Sequence, residues 1–93
     1  MSERLSRTVP ITNKRGLHAR ASSKFALLVG TFPDVRVQVE REELVVDGDS
    51  IMDLMMLAAG MGSTITIHAE GEAAAEALAA LCALVEDRFG EGE

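Results

Sequence analysis

The apolar residues of this chain recur at two different periods, and the two kinds of segment alternate along the sequence. They fall on every second residue around 5–12, 35–40 and 64–69, which predicts half-buried strands, and the short apolar segment at 43–46 is predicted to be the second strand of a hairpin with 35–40. They fall at three-to-four spacing around 19–29, 51–58 and 72–89, which predicts amphipathic helices. The order is therefore strand, helix, strand, strand, helix, strand, helix. This order predicts an α+β fold in which helices cover one face of an antiparallel sheet and the other face is open to solvent.

Turn and cap residues mark the ends of the predicted helices. Gly30 stands in the position of a helix C-terminal glycine, and the second helix is predicted to end at Gly60 or Gly62. Ser50, with Asp53 three residues later, approximates a capping box at the start of that second helix. With 93 residues, the chain is long enough for a single domain, which we assign to 1–93.

The charge of the chain limits its partners. A formal net charge of -6, from 15 acidic and 9 basic side chains, disfavours nucleic acid and anionic membrane surfaces. The basic residues nevertheless concentrate in the first quarter, so one end of the domain could hold an anion. The one cysteine, Cys82, has apolar neighbours and indicates a reducing compartment. No segment approaches the roughly 20 apolar residues that span a bilayer, and we predict a cytoplasmic protein.

The residues 16–20 carry the strongest chemical signal. Gly16 ends a polar break, and His18 then stands at the start of the first helix, where several backbone N–H groups lack an intrahelical partner. These donors and the helix dipole favour an anion, and Arg20 could add a charge-assisted hydrogen bond. A neutral histidine is a nucleophile near physiological pH, so His18 could accept a phosphoryl group. The alternative is that His18 is a polar residue at a helix start and Arg20 a solvated charge.

The sequence Gly-Leu-His-Ala-Arg at 16–20, followed by Asp-Ser-Ile-Met-Asp-Leu-Met at 49–55, resembles two signatures of the HPr family of bacterial phosphotransferase systems. The element order over about 7–89 is also similar to that family. The resemblance implies an open-faced sandwich of four antiparallel strands covered on one face by three helices. It implies that His18 accepts the phosphoryl group, on the ring nitrogen nearest the backbone, and that Gly16, Ala19 and Arg20 contact the phosphate.

The resemblance also implies a function and partners. The family carries phosphoryl groups from phosphorylated enzyme I, which phosphoenolpyruvate charges, to an enzyme IIA protein or domain. The chain would then be a carrier in sugar uptake or in nitrogen and carbon regulation. It would not itself be an enzyme, and it would need neither cofactor nor metal. Transient complexes of this kind favour a monomer with one exposed patch.

Two features of the second helix have a structural and a functional interpretation. Ser50 is predicted to cap the helix, and it also matches the serine that a dedicated kinase, opposed by a phosphorylase, modifies in some family members. Ile51, Met52 and Met55 either fill the core or form the apolar docking patch that the family has at matching positions. In the second case Leu54, Leu57 and Ala58 would cover the sheet.

The chain departs from the family pattern at two positions. Ala21 stands where many members have proline, and Asp49 precedes Ser50 where many have a basic or neutral residue, which puts recognition by a serine kinase in doubt. The segments 13–16 and 21–25 look more like carriers of the nitrogen-related branch. His68 is predicted to be a solvated strand residue without metal-ligand neighbours.

Two other classes of function share the predicted element order. An acylphosphatase-like enzyme has a ferredoxin-like fold with a similar order, and hydrolysis of acyl phosphates would identify it. A ferredoxin-like regulatory module would bind a small metabolite even after His18→Ala. The sequence lacks a glycine-rich phosphate cradle and an aromatic stacking platform, which favours the carrier.

Overall fold

The computed structural model describes residues 3–91, and the element order predicted from the sequence is confirmed. The elements are β1 (Glu3–Pro10), α1 (Ala19–Gly30), β2 (Arg36–Arg41), β3 (Leu44–Asp47), α2 (Ile51–Met56), β4 (Thr64–Gly71), α3 (Ala74–Glu86) and a 3-10 turn (Arg88–Gly90). The strands form one sheet in the order β1-β4-β2-β3, and each neighbouring pair is antiparallel. The predicted α+β open-faced sandwich is thus confirmed.

Alternate strand residues build the core, because successive side chains of a strand point to opposite faces of the sheet. In the register of the sheet, Val9 of β1 lies opposite Ile65 of β4, and Ile67 of β4 lies opposite Val39 of β2. The helices close this face with their own buried side chains, chiefly Phe25 of α1, Leu54 of α2, and Leu78, Leu81, Cys82 and Val85 of α3. Each of these helices is therefore held by its apolar face rather than by helix propensity alone.

The first two helices end differently from the prediction. Gly30 is the last residue of α1 but does not take a left-handed conformation; Thr31 ends the helix instead, and its N–H and hydroxyl both donate to the Leu28 carbonyl. Helix α2 ends at Met56, before either predicted glycine, because Ala58 adopts a positive φ of 52° and reverses the chain. Glycine is the usual residue in this conformation, so an alanine gave no signal there.

Helix α3 is shorter than predicted at both ends. It starts at Ala74, two residues beyond the predicted start, and stops at Glu86 rather than continuing through Phe89. Arg88, Phe89 and Gly90 all have positive φ, with values of 56°, 55° and 74°. This left-handed turn places the Phe89 ring in the core, where it is fully buried. Phe89, whose spacing continued the helical pattern, is therefore buried by a turn and not by a longer helix.

The open face of the sheet carries a row of hydrogen-bonded polar side chains. His68, at the centre of this face on β4, bonds through Nδ1 to the Ser6 hydroxyl of β1 at 2.6 Å and through Nε2 to the Glu40 carboxylate of β2 at 2.8 Å. One side chain thus links three strands. His68 is on the open face as predicted, but it is mostly covered by its partners rather than freely solvated.

Candidate functional site

His18 occupies the N-cap position of α1. Its backbone is extended, with φ -75° and ψ -178°, and its carbonyl accepts the first helical hydrogen bond, from Ser22 N–H at 2.9 Å. The His18 side chain makes no capping hydrogen bond. The N–H groups of Ala19, Arg20 and Ala21 therefore have no intrahelical partner at the helix end that follows His18. Ala21, which stands where the sequence analysis noted a common proline, is fully buried in the first turn of the helix.

The loop before His18 is fixed by contacts with the loop that follows α2. Leu17 N–H donates to the Ala59 carbonyl at 2.9 Å, and Gly16 adopts a φ of +64° with its α-carbon close against the Ala59 backbone. The N–H of Gly16 donates to the Asn13 carbonyl at 3.2 Å, so it is engaged within the turn. Gly16 thus shapes the approach to α1, and its contact with phosphate stays a prediction.

Asn13 is a fully buried amide beside the site. Its Nδ2 donates to the Gly16 carbonyl at 2.9 Å and to Oε1 of Glu91 at 2.9 Å. Both partners are acceptors, and this fixes the amide with nitrogen toward them and Oδ1 away. Asn13 therefore ties the loop before α1 to the end of the described chain. The sequence marked this residue only as part of a polar break.

Glu91 is the residue at this site that the sequence did not predict. Its Oε2 is hydrogen-bonded to Nε2 of His18, while Oε1 accepts from Asn13. The Asn13 hydrogen bond lowers the pKa of Glu91, and His18 and Lys24 lower it further, whereas partial burial opposes them. An ionised carboxylate only accepts hydrogen bonds, so the shared proton lies on Nε2 of His18. The neutral ring then keeps its lone pair on Nδ1.

Three basic side chains lie beside Glu91, the hydrogen-bond partner of His18. A groove at this end of the molecule is lined by Arg15, Arg20, Lys24, Gly90 and Glu91. Lys24 donates to the Phe89 carbonyl at 2.7 Å, so its ammonium is held at the groove. Together these cations give the site a positive potential in a chain whose net charge is -6.

An exposed apolar patch lies on α2. Met52 is 76% exposed, and Ile51 and Met55 are 40% and 43% exposed, while Leu54 is buried in the core. The split between exposed and buried faces is as the sequence predicted, apart from Ala58, which was expected to cover the sheet but lies exposed after the chain reversal. We call the residues Ile51, Met52 and Met55 the α2 patch.

The surroundings of the α2 patch include further exposed methionines. Met56 and Met61, 66% and 64% exposed, were not predicted as surface residues. The loop that follows α2 reaches the site, since a shallow depression beside His18 is lined by Arg15, Leu17, Ala58, Ala59 and Gly60. A protein that covers His18 would therefore meet this loop and its exposed apolar neighbours.

Ser50 caps α2 as predicted, because its hydroxyl accepts a hydrogen bond from Asp53 N–H at 3.2 Å. Its modification by a kinase stays a prediction. Within residues 3–91 no cluster of histidine, cysteine or acidic side chains has the arrangement of a metal site. None of the helices in the same range is long and apolar enough to cross a membrane.

Comparison with known proteins gives one consistent result. Residues 5–87 match the family model described as PTS HPr component phosphorylation site. Phosphocarrier protein HPr of Cupriavidus necator is 52% identical over 89 residues, which are 96% of this chain and 99% of that protein. Phosphocarrier protein NPr of Shewanella violacea is 44% identical over 88 residues, 95% of this chain and 96% of the relative.

Comparison of structures agrees with the comparison of sequences. The crystal structure of HPr-C-His from Thermoanaerobacter tengcongensis superposes with a TM-score of 0.89 at 37% identity, over 94% of this chain and 97% of that one. The match therefore covers nearly the whole of both chains. This chain belongs to the HPr family of phosphocarrier proteins.

Proposed function

We propose that His18 is the phosphoryl-accepting residue of this phosphocarrier, that phosphorylated enzyme I is the donor, and that an enzyme IIA-type protein is the acceptor. The observation that carries the proposal is the position of His18 at a helix N-terminus without a side-chain cap, bonded to a glutamate that shares a groove with Arg15, Arg20 and Lys24. Free N–H groups and the helix dipole stabilise an anion at this place. The protein therefore stabilises phosphohistidine with its own backbone and side chains.

The hydrogen bond to Glu91 supports Nδ1 as the atom that takes the phosphoryl group. Nε2 carries the proton that it shares with the Glu91 carboxylate, so the nucleophilic lone pair is on Nδ1. Nδ1 is also the ring nitrogen nearer the backbone. We expect the free N–H groups of Ala19 and Arg20 to donate to the phosphoryl oxygens and Arg20 to add its guanidinium.

The chain has two histidines, which provides a matched control. Wild type, His18→Gln and His68→Gln are each incubated with phosphoenolpyruvate, magnesium and enzyme I of the same organism, and intact mass is measured before and after acid treatment. We expect one acid-labile phosphoryl group on wild type and on His68→Gln, and none on His18→Gln. Circular dichroism checks that both variants fold. Phosphorylation of a folded His18→Gln would refute the assignment.

We propose that the α2 patch docks the donor and the acceptor. Flexible methionine side chains suit a surface that fits more than one partner, and this patch is exposed although α2 is anchored by the buried Leu54. Met52→Ala is expected to raise the KM for phosphorylation by enzyme I several-fold and to leave thermal stability unchanged. Val45→Ala, a change at a 43% exposed residue of β3 on the open face, is the control. Equal KM values for the two variants would contradict the proposal.

The fold does not identify the pathway in which this carrier acts, because the two branches share the fold and differ in their partners. Identity is 52% to an HPr and 44% to an NPr, so the nitrogen-related branch is not singled out over the sugar-related one. We propose a monomeric carrier, not an enzyme, that acts in the cytoplasm. An acylphosphatase-like activity would instead give steady turnover of acyl phosphates, and a regulatory module would bind its metabolite without His18. Measuring transfer to the enzyme IIA proteins of both branches identifies the acceptor.

A further inference from the structure

The turn after α3 is built of three consecutive residues in the left-handed region. Arg88 and Phe89 are not glycines, and a side chain in this conformation brings its β-carbon too close to the following carbonyl. Such strain persists only where the surroundings hold it in place. Here the buried Phe89 ring and the Lys24 hydrogen bond to the Phe89 carbonyl hold the turn. What the turn achieves is the delivery of Glu91 to His18.

Every contact of the Glu91 side chain is directed at the site. One carboxylate oxygen is bonded to Asn13 and the other to His18, and the side chain is only 12% exposed. The titratable ring of His18 faces it, together with three cations, Lys24 and the two arginines that line the groove, Arg15 and Arg20. A carboxylate in this position stabilises a positive charge on the imidazole.

From this geometry we infer that Glu91 is a positioning residue for phosphoryl transfer at His18: its carboxylate holds the proton on Nε2, so that Nδ1 is the nucleophile, and it stabilises the positive charge that the ring gains. The inference deepens the proposed function and rests on it. It assigns a role to the left-handed turn, which sets the carboxylate against the ring. It also gives Asn13 a role, since the buried amide orients the carboxylate.

The Nδ1 lone pair forms a bond to phosphorus, while the bond from phosphorus to the donor atom of enzyme I breaks and its electron pair returns to that atom. The Nε2 proton remains on His18, whose ring gains a positive charge as the nitrogen–phosphorus bond forms. The Glu91 carboxylate faces that charge across the Nε2 hydrogen bond. When the phosphoryl group passes on to the acceptor, the positive charge on the ring makes His18 a better leaving group.

The test compares wild type with Glu91→Gln, and uses Glu86→Gln as the matched control. Glu86 is a more exposed glutamate of α3 that pairs with Arg7, so its replacement removes the same charge without touching His18. Two readouts are taken: the tautomer of His18 from the nitrogen-15 shifts of its ring, recorded on the unphosphorylated protein where the ring is neutral, and the rate of phosphorylation by enzyme I. Glu91→Asp, which keeps the carboxylate, tests for rescue.

We expect wild type and Glu86→Gln to show the Nε2–H tautomer alone, and Glu91→Gln to show a mixture. The phosphorylation rate of Glu91→Gln should fall about tenfold, the effect of losing one hydrogen bond to a charged group, and Glu91→Asp should recover part of it. Unchanged tautomer and rate in Glu91→Gln would overturn the inference, even if that variant were less stable. If wild type itself were not phosphorylated by an active enzyme I, the proposed function would fail, while the tautomer measurement would still decide whether Glu91 controls the ring.

Discussion

Replacing Gly16 by alanine tests whether the loop before His18 is fixed as described. A β-carbon at this position would lie 2.3 Å from the Ala59 carbonyl oxygen and 2.7 Å from the Gly60 α-carbon. Both neighbours are backbone atoms, so the two loops must separate. The φ of +64° adds about 1 to 2 kcal/mol of conformational strain for a residue with a side chain.

The expected loss can be estimated from these contacts. Separating the loops stretches the hydrogen bond from Leu17 N–H to the Ala59 carbonyl, which contributes about 1 kcal/mol. With the conformational strain, the free energy of unfolding of Gly16→Ala should fall by about 3 kcal/mol. For a chain of this length that corresponds to a melting temperature lower by about 15 °C. Phosphorylation should slow as well, because the same loop positions His18.

Thermal unfolding followed by circular dichroism measures this loss, and Gly30→Ala is the matched control. A β-carbon on Gly30 would meet nothing within 4 Å, and its φ is not positive. Because alanine is the better helix former, this variant should be as stable as wild type or slightly more stable. If Gly16→Ala melted within about 3 °C of wild type, the loops would not be in the contact described, and the account of how His18 is positioned would be wrong.

Three further outcomes are expected. Burial raises the pKa of the Cys82 thiol, so a disulfide reagent should label Cys82 slowly in the folded protein and rapidly in urea, and rapid labelling without urea would contradict the buried position. Ser50→Ala should lower the free energy of unfolding by about 1 kcal/mol in urea titrations, because α2 loses its cap; an unchanged value would show that the cap is not needed. The pKa of Glu91 is lowered in the folded state from an ordinary value of 4.5. Its stabilising contribution is therefore present above that value and lost as pH falls through the folded pKa, so the stability difference between wild type and Glu91→Gln should be largest above pH 4.5 and shrink as the pH falls below it. A constant difference would contradict the hydrogen-bonded carboxylate.

The parts of the site that were predicted from the sequence are those encoded locally. His18 and Arg20 stand within three positions of each other at a helix start, and Ser50 and its cap partner are likewise close. Glu91 is 73 positions from His18, and no pattern connects them. Phe89 was assigned to α3 because its spacing continues the helical period. The structure shows instead that a left-handed turn buries the Phe89 ring, and no local pattern predicts such a turn.

The fold was predicted more fully than the boundaries, for a physical reason. Burial of one face imposes a period on each strand and helix, and that period is readable over many residues. The end of a helix depends on one or two residues and on what they contact. Ala58 reverses the chain after α2, where the two glycines farther on had been the expected stop. Alanine seldom adopts this conformation, so its presence at this position could not predict the end of the helix.

The left-handed turn at 88–90 also determines where a fusion partner or an affinity tag is best attached. The described chain reaches Glu91 in contact with His18, so a bulky group joined directly beyond it would crowd the groove of Arg15, Arg20 and Lys24. At the other end, β1 begins at Glu3, paired with Gly71, and runs for 8 residues before the loop to His18. At about 3.3 Å per residue, a group attached there lies on the order of 25 Å along the strand from that loop. Labels for phosphorylation and docking measurements therefore belong at the amino end of the protein.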